Sequence, residues 1–188
     1  MSTKKSQRIG IWIITGALVV GTLGSFLVMI LAPKNEAADQ AAMQKQIDEY
    51  TKQAEAQAIA RAASSKPIDG YEAAVFDKTG VTELKVETLV EGSGEALAAD
   101  STISANYFGW TSDGKIFDST NQNGTVNPIE FSLSRVIPGW TKGLTGVKVG
   151  STVRLTIPSD LAYGATGSLP NIGPNEPLQF IVEIKEKK

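Results

Sequence analysis

Neither cysteine nor histidine occurs among the 188 residues. That removes the thiolate nucleophile, the imidazole base, the ligands that dominate zinc sites, and any disulfide. Positive charge is also scarce where it would matter for nucleic acid: residues 67–188 hold 10 basic against 15 acidic side chains, a net of −5. Phosphate recognition needs a basic face, so no nucleic-acid partner is expected. No metal and no organic cofactor is implied. Aromatic residues make up only 7% of the chain, so where they gather is informative.

Long apolar runs are missing too, with one exception. From Ile9 to Ala32 there are 24 consecutive residues without a charge. At a helical rise of about 1.5 Å per residue this length covers a hydrocarbon core of about 30 Å. The competing reading is a cleaved secretory signal with Ala37 and Ala38 near the cut. An apolar signal core normally runs about 7–15 residues, so the length favours an uncleaved transmembrane anchor. Lys4, Lys5 and Arg8 precede the run and Lys34 follows it. The excess in front predicts a single-pass protein, with residues 1–8 cytoplasmic, 9–32 in the membrane and the C-terminal part outside.

Residues 35–65 contain neither glycine nor proline and are rich in Ala, Gln, Glu and Lys, a composition that predicts helix, with Asn35 as N-cap. Met43, Ile47, Tyr50 and Ala54 fall on one stripe. With Ala17, Gly21 and Ser25 in the span, the stripe leaves two readings open, a solvated stalk or a homodimer formed through span and stalk. Pro67 and Gly70 end the helix and mark a linker. The expected organisation is therefore a helical stalk and linker over 33–66 and a globular domain over 67–188.

In that domain the apolar period becomes two. Val81, Leu84, Val86 and Leu89 precede Ile103, Ala105, Tyr107 and Gly109. Further on, Ile129, Phe131 and Leu133 alternate with polar residues, as do Val153, Leu155 and Ile157, and Leu178, Phe180, Val182 and Ile184. These read as antiparallel strands with one wet face, on which Arg154, Thr156, Gln179 and Glu183 lie. Asp113-Gly114 signals a hairpin turn. Pro138-Gly139-Trp140 opens a short helix with proline in its first turn. The expected fold class is α+β, a curled antiparallel β-sheet wrapped on one short helix.

Tyr107, then Gly114-Lys115-Ile116-Phe117-Asp118, then Val136-Ile137-Pro138-Gly139-Trp140, then Ala162-Tyr163-Gly164, then Leu178 and Phe180, follow one another in order. Taken singly, each aromatic is as well explained by core packing. Their joint order is not, and over about Val81 to Lys185 the chain resembles the FKBP-type peptidyl-prolyl cis-trans isomerases. The resemblance implies a pocket with Trp140 as floor and walls from Tyr107, Phe117, Ile129, Phe131, Val136, Ile137, Tyr163, Ile172 and Phe180, with Asp118 at the rim. It implies that the Ile137 backbone N–H and the Tyr163 hydroxyl bind substrate carbonyls, and that Asp118 orients polar groups with Tyr107. The implied partners are proline-containing polypeptide clients and macrolide inhibitors. Ile129 stands where many members carry Phe, and Ser168 and Leu169 alter a loop over the pocket. A second reading is a membrane-tethered peptide-binding or chaperone module with little catalysis, and a third makes the stalk, as spacer or dimeriser, the functional part.

Overall fold

The computed structural model describes residues 36–188, with side chains from residue 40 onward. The expected membrane span, its orientation and the cap Asn35 lie outside the described residues. Among the described residues no helix is long and apolar enough to cross a membrane.

Helix α1 (Glu36–Ser64) fills the segment predicted to be helical. Its front half is supported by local polar contacts, such as Gln44 Nε2 donating to Asp48 Oδ1 at 2.8 Å. Ile47 and Tyr50 of the stripe stand exposed. The end of α1 behaves differently. Ala58, Arg61, Ala62 and Ser65 share one face at helical spacing and are all partly covered.

The linker expected after α1 is built into the fold. Ser65–Lys66 forms strand β1, which pairs antiparallel with β5 (Asn121–Gln122) in the register Ser65 to Gln122 and Lys66 to Asn121. The pairing is reinforced by Ser119 Oγ donating to the Lys66 carbonyl at 2.7 Å and Asn121 Nδ2 donating to the Pro67 carbonyl at 2.7 Å. Pro67 and Gly70 do stop the helix, but nothing about them prevents an extended segment from pairing and packing. β5 also pairs with β6 (Thr125–Val126), completing a small three-stranded sheet.

The main sheet is antiparallel. It runs β2 (Lys85–Val90), β8 (Thr152–Ile157), β9 (Leu178–Lys187), β3 (Thr102–Thr111) and β4 (Ile116–Ser119), with β7 (Ile129–Ser132) pairing the first half of β3. β3 is thus the hub: β9 lies along one side, while β7 and then β4 share the other. The β3–β4 turn holds Gly114 at φ 81°, a left-handed conformation that glycine adopts without strain. Helix α2 (Pro138–Leu144) has proline in its first turn and buries Gly139, Trp140, Gly143 and Leu144 against the sheet. Gly139 is required for that approach, since a Cβ there would run into the Ile157 side chain.

The front face carries the expected core: Ile103, Ala105 and Tyr107 from β3, Val153, Leu155 and Ile157 from β8, and Leu178, Phe180, Val182 and Ile184 from β9. The expectation of a wet back face holds toward β8, where Arg154 pairs with Glu87 of the edge strand at 2.9 Å, and in the first half of β3, where Asn106 donates to Glu183 of β9 at 3.0 Å. Around the second half of β3 the back face is apolar and covered. Phe108, Trp110 and Ile181 are buried there under Ile68, with Tyr71, Ala73, Phe76, Leu89 and Ile116 packed around them. The segment from Ile68 to Phe76 is bonded in place, since the Trp110 indole Nε1 donates to the Ala74 carbonyl at 2.9 Å and the Phe76 N–H to the Ser112 carbonyl at 3.0 Å.

Candidate active site

Successive residues along a strand point to opposite faces, so Tyr107 of β3 and Phe180 of β9 come up on the front of the sheet with the core residues two places away, beside α2, which supplies Trp140. The Tyr107 and Phe180 rings each meet Trp140 edge-on, with centroids 5.2 Å apart and planes at 88°. Phe131 approaches the same indole at 5.0 Å and 62°. Phe117 of β4 stands against Phe180 at 5.6 Å and 87°. Edge-to-face contact suits the ring quadrupoles, and a hollow opens beside the Tyr107, Trp140 and Phe180 rings.

That hollow is lined by Tyr107, Asp118, Val136, Ile137, Trp140, Tyr163 and Phe180. Val136 and Ile137 arrive from the short connection between β7 and α2, and Tyr163 from the turn after β8. The remaining candidates stand behind the wall. Phe117 and Ile172 are buried, and Ile129 and Phe131 are partly buried, all in the same apolar cluster. Gly109 is the tightest point behind it, because a Cβ there would strike the Phe180 ring and come within 2.6 Å of the Phe117 ring.

The rim is polar and tightly bonded. Asp118 lies on β4, opposite Gly109 in the hairpin register. One carboxylate oxygen, Oδ2, accepts from the Tyr107 hydroxyl. The other, Oδ1, accepts from the Ser119 backbone N–H at 2.8 Å and from Nε of Arg61 in the last turn of α1. Arg61 also donates through Nη2 to the Ser119 carbonyl at 3.2 Å. The Arg61 and Asp118 side chains are only 19% and 13% exposed, so the pair is largely withdrawn from solvent. Burial alone would lower the Arg61 pKa, but Asp118 and Tyr107 outweigh it and raise it. The Tyr107 hydroxyl is pushed well above its ordinary range, first by burial and then by the Asp118 charge, with Arg61 opposing. Burial, aided by Asp118, lifts Tyr163 to about 12. Both hydroxyls therefore stay protonated as hydrogen-bond donors at any ordinary pH. At the floor, the Trp140 indole N–H is buried with no partner among the described residues.

The loop that follows Tyr163 folds back on itself, with Ser168 and Ile172 exchanging backbone hydrogen bonds of 2.8 and 2.9 Å. At its tip Asn171 Nδ2 donates to the Ala58 carbonyl of α1 at 2.9 Å. Arg61 and Asn171 were not among the residues singled out by the sequence. The signal that could have found Arg61 is the small residues Ala58, Ala62 and Ser65 at helical spacing around it, which let a helix lie close against another element.

The arrangement offers an aromatic slot with two hydroxyl donors and one carboxylate at its edge. Residues 93–185 match the family model described as FKBP-type peptidyl-prolyl cis-trans isomerase. The chain superposes on the crystal structure of a peptidyl-prolyl cis-trans isomerase from Pseudomonas syringae pv. tomato with a TM-score of 0.52 at 32% identity, over 73% of this chain and 96% of that one. It is 43% identical over 111 residues to the FKBP-type peptidyl-prolyl cis-trans isomerase FkpA of Escherichia coli (strain K12), a match spanning 59% of this chain and 40% of that protein. It is 36% identical over 120 residues to the outer membrane protein MIP of Legionella longbeachae, spanning 62% of this chain and 51% of that protein. The match therefore covers about half or less of these curated relatives.

Proposed function

The chain belongs to the FKBP-type peptidyl-prolyl cis-trans isomerase family, and on that premise we propose that its globular part, residues 67–188, catalyses rotation about X-Pro amide bonds in exported polypeptides. The barrier to be lowered is about 18–20 kcal/mol, because resonance gives the C–N bond partial double-bond character. Twisting the bond removes that resonance and with it part of the amide's polarity. A dry slot therefore disfavours the planar ground state more than the twisted transition state, which is the differential binding catalysis needs.

The observation that carries this reading is the hollow lined by Tyr107, Asp118, Val136, Ile137, Trp140, Tyr163 and Phe180, aromatic at its floor and bearing its carboxylate and hydroxyls at the rim. In it the prolyl ring rests on Trp140. The Ile137 backbone N–H and the Tyr163 hydroxyl donate to substrate carbonyls and hold the pose. Asp118, bonded to Tyr107, keeps the rim ordered. Phe117, Ile129, Phe131 and Ile172 act from behind by fixing the rings that line the slot. No proton moves at any step. The same slot is the site for macrolide inhibitors.

The test is exchange NMR on a Leu-Pro peptide with the full chain, beside Trp140→Leu and Phe117→Ala. Catalysis by the parent that falls about tenfold or more in folded variants is the expected result. A folded parent with no rate above background sinks the isomerase reading and leaves a binding module.

The clients reach this site outside the membrane. Residues 9–32 form a single-pass anchor with the N-terminus cytoplasmic, supported by 24 charge-free residues behind Lys4, Lys5 and Arg8. Protease added to intact cells should remove the globular part, and protection of that part would reverse the topology. Sedimentation of the full chain tests whether the exposed Ile47 and Tyr50 stripe on α1 pairs with a second copy.

A further inference from the structure

Helix α1 lies wholly ahead of the segment that matches the family, residues 93–185, yet its last two turns reach the rim of the slot. Two ties hold them there. Arg61 grips the Asp118 carboxylate and the Ser119 carbonyl on β4. Three residues earlier, the Ala58 carbonyl accepts from Asn171 at the tip of the loop between β8 and β9. The helix is fastened further by Ser64 Oγ donating to the Gln122 side chain and by β1 pairing with β5. A helix that was only a spacer would need none of these contacts, and it would not place a largely buried cation on a carboxylate of the rim.

We infer that Arg61 is a positioning residue for the isomerase site, holding the Asp118 carboxylate so that the Tyr107 hydroxyl is fixed at the edge of the slot; this rests on the isomerase reading above. The geometry explains how one cation does this. Asp118 has two oxygens with different duties: Oδ2 takes the Tyr107 hydroxyl, while Oδ1 takes Arg61 and the Ser119 N–H. Because a carboxylate is planar, fixing Oδ1 from two directions fixes Oδ2, and Oδ2 sets where the Tyr107 hydroxyl points. Arg61 reaches the carboxylate through Nε and the neighbouring backbone through Nη2 at the same time. That forked grip belongs to a planar guanidinium, and a lysine ammonium reproduces it only in part.

The experiment compares the full chain with Arg61→Ala, Arg61→Lys and Asn171→Ala, reading kcat and KM on a Leu-Pro peptide and the Asp118 side-chain carboxyl 13C resonance. Arg61→Ala should lower kcat/KM roughly fivefold to tenfold, mainly through kcat, and shift the Asp118 resonance. Arg61→Lys should recover part of both, and added methylguanidinium should partly restore Arg61→Ala. Asn171→Ala cuts the other tie and should leave the Asp118 resonance in place. If folded Arg61→Ala keeps kcat/KM within about twofold of the parent, the inference is overturned. Should the parent itself show no catalysis, the isomerase reading is what fails. The carboxyl resonance then decides for Arg61 alone: movement in Arg61→Ala with recovery in Arg61→Lys sustains the positioning role, and no movement overturns it.

Discussion

Two buried tryptophans sit on opposite faces of one sheet and are finished differently. Trp110, on the back, stacks on Phe108 at 5.1 Å with planes at 21°, lies under Ile68, and has its indole N–H bonded to the Ala74 carbonyl. Trp140, at the front, is buried to a similar degree, but the rings around it meet it edge-on and its N–H has no partner among the described residues. The back is closed packing, and the front is packing stopped short of closure. A folded domain gains most from filling every gap and pairing every buried donor, so a face left open is where stability has been given up for a site.

The sharpest way to break the contrast is to truncate each tryptophan. Trp110→Ala should cost about 3–5 kcal/mol of stability, the usual range for losing a buried aromatic side chain. Trp140→Leu should lose less stability and far more activity. Denaturant titration beside peptide isomerisation separates the two, and equal stability losses with equal activities would erase the distinction between the faces.

Gly109→Ala probes the thin wall between them. Its Cβ presses into the Phe117 and Phe180 rings, and overpacking of this kind costs about 1–3 kcal/mol. The expected readout is a lower midpoint in thermal melts, with isomerisation reduced because Phe180 is displaced. Tyr107→Phe is milder. Asp118 keeps Arg61 and the Ser119 N–H, so a stability loss of about 1 kcal/mol is expected. Its kcat should fall more than its KM rises, whereas a change confined to KM would assign the hydroxyl to uniform binding.

The smallest effect is the pH response. Tyr163 titrates at about 12 when folded against about 10 when unfolded, so the unfolded chain gives up its proton first. The stabilisation from the protonated, buried hydroxyl is complete below about pH 10 and is lost as pH rises through 12. Tyr107 is displaced in the same direction and adds to the slope. Tyr163→Phe should flatten part of the alkaline limb of a stability–pH curve, and an unchanged limb would place its origin elsewhere.

The front of the domain was legible because its residues sit in short ordered runs. Gly114 to Asp118 and Val136 to Trp140 each carry turn chemistry, strand or helix signal and site residue together, with Tyr107 ahead of them and Tyr163 and Phe180 behind. The back was less so. Phe108 and Trp110 occupy positions in β3 that alternation assigns to water, and they were the clue that something covers them. The cover comes from Ile68, Tyr71, Ala73 and Phe76, whose irregular spacing matches neither the helical nor the strand period. Arg61 was hidden for a different reason. Long-range contact between a helix end and a strand 57 residues away leaves no periodic trace, and a single arginine on an Ala-rich helix looks like an ordinary surface charge.

The way α1 enters the domain also sets how the molecule bears load. A pull on the front of the helix enters the domain through the two residue pairs of β1 and β5 and through side-chain bonds at Arg61, Ser64, Ser119, Asn121 and Asn171. The joint between β3 and β9 inside the sheet has nine residue pairs. Under tension the entry joint, with its shorter ladder, is expected to yield first, at the edge of the slot, while the main sheet behind it remains intact.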